Sequence, residues 1–114
     1  MSIATSEKPT ARIFDRNQAI GATSMPGRTR QCWKWGDAHG FDVLDEHVAW
    51  GANADLPKPP ELVEAVELCA SEGSTLIVYC LDVFGGDPHV ADWVRGEISE
   101  QGIAVATGPD DGAL

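Results

Sequence analysis

Apolar positions recur along this chain in two alternating rhythms. Residues 75–81 form an unbroken run of β-branched, aromatic and other apolar side chains, the pattern of a parallel strand buried on both faces. Before it, Leu62, Val63, Val66 and Cys69 repeat at helical spacing, entered through Pro57, Pro59 and Pro60 and stopped by Gly73. After it, Val90, Val94 and Ile98 recur every fourth residue, from an Asp87 N-cap and Pro88 to Gly102. Ahead of these, Arg12–Asp15 reads as a short strand and 17–27 as a loop. A first helix runs from a Ser24 cap to Gly40, with Cys32 and Trp35 on its buried side and Trp33 either covering the same edge or partly exposed. Phe41 to Val48 is a wetter, edge-like strand carrying Asp42, Asp45 and Glu46; Trp50 to Pro60 is a loop; Ile103–Thr107 is the last strand.

The order βαβαβαβ, with crossovers long enough for helices, predicts a single three-layer α/β domain. Its sheet is mainly parallel, with four to five strands and helices on both faces. Residues 1–10 read as a disordered lead-in, 11–108 as the fold and 109–114 as an acidic tail. A chain of 114 residues builds one core and not two.

Charge narrows the function classes. Eighteen acidic and eight basic residues give a net charge of −10, which opposes nonspecific binding to a phosphate backbone. The cations concentrate early, at Arg12, Arg16, Arg28, Arg30 and Lys34, as a solvated face or, less simply, an anion-contacting patch. Cys32, Cys69 and Cys80 are far apart in apolar surroundings and read as reduced core thiols. No signal-like or membrane-spanning segment is present, so the expected location is cytoplasmic. His39, His47 and His89 are dispersed, reading as surface or capping residues and not as a metal site. Gly85 and Gly86 form a turn before a helix N-terminus, but no phosphate-binding motif surrounds them, and Asp82 and Asp87 would repel an anion. No cofactor is called for.

Several positions fall in a telling order: Arg16 after the first strand, Gln31 in the first helix, Gly40, the proline-rich entry to the second helix, Leu81, Asp82 and Gly85 after the central strand, and Gln101–Val105 at the end. Together they resemble the catalytic domain of serine recombinases, the resolvase and invertase family, and most closely the large actinobacterial and phage integrases. The resemblance covers about Ala11 to about Gly108 and implies a resolvase-like fold. It stops short of the long helix and DNA-binding domains that follow in the family, so the chain reads as a truncated form, and it suggests an origin in a phage or mobile element.

The resemblance also implies where DNA-recombination chemistry would sit. In the family, an arginine, any residue and a nucleophilic serine follow the first strand. Here the triplet is Arg16, Asn17, Gln18, and an amide cannot serve as that nucleophile. Three family arginines that would hold the scissile phosphate fall at Pro59, Val83 and Gly86, with Lys58 beside the first. Arg16, Gln31 and Asp82 survive as polar groups of a residual cleft, Arg16 being expected to form a structural ion pair with Asp15 and Asp82.

Trp50 and Trp93 are candidates for a contact surface. The first expectation is therefore a degenerate serine-recombinase-like pseudoenzyme acting through protein contacts, by self-association or by pairing with an active recombinase. The alternative is a small enzyme or anion- or nucleotide-binding protein that reuses the cleft. A third reading keeps DNA contact through the N-terminal cations.

Overall fold

The first strand, β1 (Thr10–Asn17), is the organising element of the computed structural model, which describes residues 8–17, 25–79, 81–84 and 88–108. The chain continues through α1 (Met25–Ala38), β2 (Asp42–Trp50), α2 (Pro60–Glu72), β3 (Thr75–Val78), α3 (Pro88–Glu100) and β4 (Val105–Thr107). Two 3₁₀ turns intervene, Gly51–Asp55 after β2 and Leu81–Phe84 after β3. The expectations for residues 1–7, for Gln18 and the loop 18–24, for Cys80, for Gly85, Gly86 and Asp87, and for the tail 109–114 lie outside the described residues.

All strands are parallel, in the order β2-β1-β3-β4. This is a four-stranded α/β domain with the expected three layers. On one face, Ala11, Ile13 and Ile77 pack with Cys32 of α1. On the other, Phe14, Leu76 and Val78 pack with Leu62, Val66 and Cys69 of α2 and Val94 and Ile98 of α3. Alternation along β1 distributes its side chains between the two layers. No helix among the described residues is long and apolar enough to cross a membrane.

Element ends deviate from expectation for local reasons. β1 starts at Thr10 and reaches Asn17, because its pairing with β2 extends from Thr10↔Asp42 to Asn17↔Trp50. Trp50 is accordingly the last residue of a strand, not part of a loop, and the loop that follows holds a 3₁₀ turn. The apolar run at 75–81 forms ladder only to Val78, after which the chain coils at Leu81–Phe84. Periodicity cannot separate a strand from the apolar turn that continues it. β4 likewise begins at Val105, two residues late.

Helix packing corrects two sequence assignments. Val63 does not share the buried stripe of α2; it is 41% exposed, and Ala65 takes its place. Among the described α1 side chains the buried positions are Thr29, Cys32 and Gly36, while Trp35 is half-buried, as is Trp33. Gly36 is required by proximity: a Cβ there would lie 2.7 Å from Val43 Cγ2 and 3.1 Å from Ile77 Cδ1. Gly73 ends α2 in the left-handed region at φ 75°, its N–H returning to the Cys69 carbonyl.

Candidate functional site

From β1 the chain moves outward to β2 across the α1 face, then returns across the other face to β3 and β4. The connection reverses between β1 and β3, and ligands of open α/β sheets occupy the crevice at the carboxyl ends of strands at such a point. Asp15, Arg16 and the turn Leu81–Phe84 meet there, together with the segment from Gly51 to Pro59.

Arg16 fills the centre of this region at 5% exposure. Its Nε donates to the Val83 carbonyl at 2.7 Å. One terminal nitrogen donates to the carbonyls of Ala54 at 2.9 Å and Leu56 at 2.8 Å, and the other lies 3.4 Å from that of Pro57. These oxygens belong to turns with no ladder to pair them, and the rigid five-donor fork of a guanidinium satisfies several at once. Arg16 thus joins the segment after β2 to the turn after β3.

Asp15, fully buried, points to the opposite face. Its carboxylate is bound by the Arg28 guanidinium of α1, which reaches both oxygens, donates to the Arg16 carbonyl at 3.0 Å and lies 5.6 Å from the Tyr79 ring centroid. Burial pushes the Asp15 carboxyl above its ordinary value, against the opposing pull of Arg28. The expected Arg16–Asp15 ion pair is therefore corrected. Neighbouring strand residues project to opposite faces, so Asp15 receives only the backbone N–H of Arg16, at 2.8 Å, and takes its charge partner from α1.

The other expected positions separate. Pro59, where the resemblance would put an arginine, is buried at the N-cap of α2, and Val83, where it would put another, is 2% exposed. Lys58 reaches away to α3, where Nζ lies 2.6 Å from Glu97 Oε1 and 4.7 Å from the Trp93 ring centroid. Gln31 is exposed on α1, off the stripe formed by Thr29, Cys32 and Gly36. Asp82 is placed by its backbone in the 3₁₀ turn after β3. Trp50 and Trp93 are 55% and 50% exposed, on β2 and α3.

A second polar group lies further back along β1. Arg12 donates to both carboxylate oxygens of Glu72, at 3.0 and 2.7 Å, and lies 3.1 Å from His47 Nε2. His47 Nδ1 is 3.1 Å from Glu64, and Ser74 donates to Glu72 at 3.0 Å. The hydrogen bond from Arg12 holds the Glu72 carboxyl below its ordinary value. His47 is thus not the surface or capping residue expected; it is buried beneath α2, bridging β1 to that helix. Cys69, also buried, has its thiol pushed up to about 11 by desolvation, which leaves it protonated and unreactive.

Sequence patterning placed Arg28 among the early cations without assigning it Asp15 as a partner. A carboxylate directly after the apolar pair Ile13 and Phe14 was the available signal, since buried aspartates need a partner.

No family model matches the sequence. No curated protein matches it. Among solved structures, the N-terminal catalytic domain of TP901-1 integrase is similar, with a TM-score of 0.69 over 86% of this chain and 76% of that chain, at 16% identity. The chain has the fold of a serine-recombinase catalytic domain. The likeness is one of fold; the chemistry at the crevice rests on the side chains just described.

Proposed function

We propose that this chain is a catalytically inactive serine-recombinase-like domain that works through protein contacts. The observation that carries this reading is the state of Arg16. A phosphate clamp must present N–H groups to an incoming anion, whereas Arg16 directs its N–H groups to the carbonyls of Val83, Ala54 and Leu56 in a site closed to solvent. Apolar Pro59 and Val83 support the same reading. So do the engagements of Arg12 with Glu72 and Arg28 with Asp15, which leave Arg30 and Lys34 as the exposed cations of the N-terminal group.

A contact role fits the large apolar side chains that remain exposed, Leu44, Trp50, Leu56, Val63 and Trp93. The direct test incubates the purified chain with supercoiled plasmid and follows nicking and joining. Neither the native chain nor Gln18→Ser is expected to open the plasmid, because a restored hydroxyl would still lack its phosphate-binding guanidinium groups. Opening by the native chain, abolished by Arg16→Met in a preparation that remains folded, would overturn the reading.

A further inference from the structure

Helices α2 and α3 meet at a seam that stays open to solvent. Leu62 and Val66 from α2 and Val94 and Ile98 from α3 form the floor of an open groove, and Val63 stands on its wall. Its cavity of about 160 Å³ is close to that of an apolar cavity of about 150 Å³ known to hold one benzene-sized group. It is smaller than the roughly 300 Å³ at which small-molecule pockets begin. The groove therefore suits a single bulky side chain presented by another polypeptide.

Charge decides which polypeptide. Glu67 and Glu97 stand on facing walls, and Lys58 is held against Glu97 and the Trp93 ring at one end. A second copy would bring identical carboxylates to this face, and each chain carries a net charge of −10. Residues 1–7 and 109–114 carry acidic groups and no lysine or arginine, so neither segment complements it. An apolar anchor flanked by cations does, and a helix supplies that arrangement at i, i+3 and i+4 spacing.

We infer that the α2–α3 groove docks a cationic amphipathic helix of a different protein, with one large apolar side chain over Val66 and Val94 and its lysines or arginines beside Glu67 and Glu97. This inference rests on the protein-contact reading above and names the partner's chemistry.

The probe is a fluorescent amphipathic peptide of about 18 residues with a leucine stripe and lysine flanks, compared with its glutamate-flanked counterpart by anisotropy. The lysine peptide is expected to bind and the glutamate peptide to bind at least about tenfold more weakly. Glu67→Lys should weaken binding severalfold, while Asp37→Lys, on exposed α1, leaves it unchanged. Val63→Glu is the decisive variant, because position 63 is partly exposed and tolerates the change. It adds negative charge, so docking in the groove predicts about tenfold weaker binding, whereas adhesion to an acidic surface predicts equal or tighter binding.

Equal or tighter binding by Val63→Glu, or equal binding of the two peptides, overturns the inference. So does a monomer–dimer equilibrium in sedimentation that Val63→Glu abolishes, which would assign the groove to a second copy. Plasmid opening would sink the inactive-domain reading without touching this result, and failure of the peptide series would leave that reading intact.

Discussion

Two arginines leave the same face of β1 and reach different environments. Arg12 meets the carboxylate of Glu72 near the surface, in a pair whose side chains are 13% and 29% exposed. Arg16, nearer the carboxyl end of the strand, is buried among backbone carbonyls contributed by two separate segments. The first is an ion pair that water can partly replace. The second is a covalently anchored donor set completing backbone hydrogen bonds that water cannot reach, so the crevice at the carboxyl end of β1 is filled by a structural contact.

The comparison is most exposed to Arg16→Met. Arg16→Met leaves the carbonyls of Val83, Ala54 and Leu56 without this donor, each orphaned buried acceptor costing roughly 1–3 kcal/mol, and urea denaturation should show a loss of several such steps. A loss below about 1 kcal/mol, the level of an exposed pair, would mean that Arg16 is not a structural stitch and would reopen a ligand role.

Asp15→Asn comes next, at about 2 kcal/mol for one charge-assisted contact weakened, and its pH dependence sharpens the contrast. The Asp15 carboxyl is raised above 3.8 in the fold by burial. The folded state then holds this proton more tightly than the unfolded chain, so the group's contribution to stability falls as pH rises from 3.8 through its folded value. Glu72 has the opposite sign. Its carboxyl is lowered below 4.5 by the Arg12 hydrogen bond, so its contribution is present above 4.5 and lost as pH falls through the folded value. Thermal melts across the acid range should show the Asp15 slope vanish in Asp15→Asn and the Glu72 slope vanish in Glu72→Gln. Exchange of those two outcomes would refute the assignment.

Arg12→Met should cost about 1 kcal/mol, the scale of a partly exposed pair, and the difference from native should shrink in high salt. A cost equal to that of Arg16→Met would erase the distinction between the two sites. The smallest effect is a near absence of change on adding inorganic phosphate or nucleotides. A ligand at a hundred times its dissociation constant adds about 2.7 kcal/mol, so a clear rise in melting temperature that Arg30→Ala or Lys34→Ala removes would favour anion binding over the contact role.

The legible parts of the sequence were those governed by near neighbours. The stripe at Leu62, Val66 and Cys69, the stop at Gly73 and the apolar start of β3 follow from side chains repeating every 3.6 or every second residue, and the observed elements lie where those rhythms place them. The same rhythm mistook Val63 for core, because a residue at the rim of a helix stripe is buried only if another element covers it, and the α2–α3 seam stays open there. The edge position of β2 was legible from its acidic residues, but its extension to Trp50 depended on how far β1 continued beside it.

The sequence by itself determined the alternation of strands and helices and the apolar character of Pro59 and Val83, because residue identity and local spacing need no partner to be read. Tertiary structure alone decided that Arg16 would serve the carbonyl of Val83, 67 positions away, that Arg28 and not Arg16 would neutralise Asp15, and that His47 would lie beneath α2. Those choices depend on which side chains the parallel sheet and its crossovers bring within about 3 Å of one another, a distance that positions along the chain do not encode.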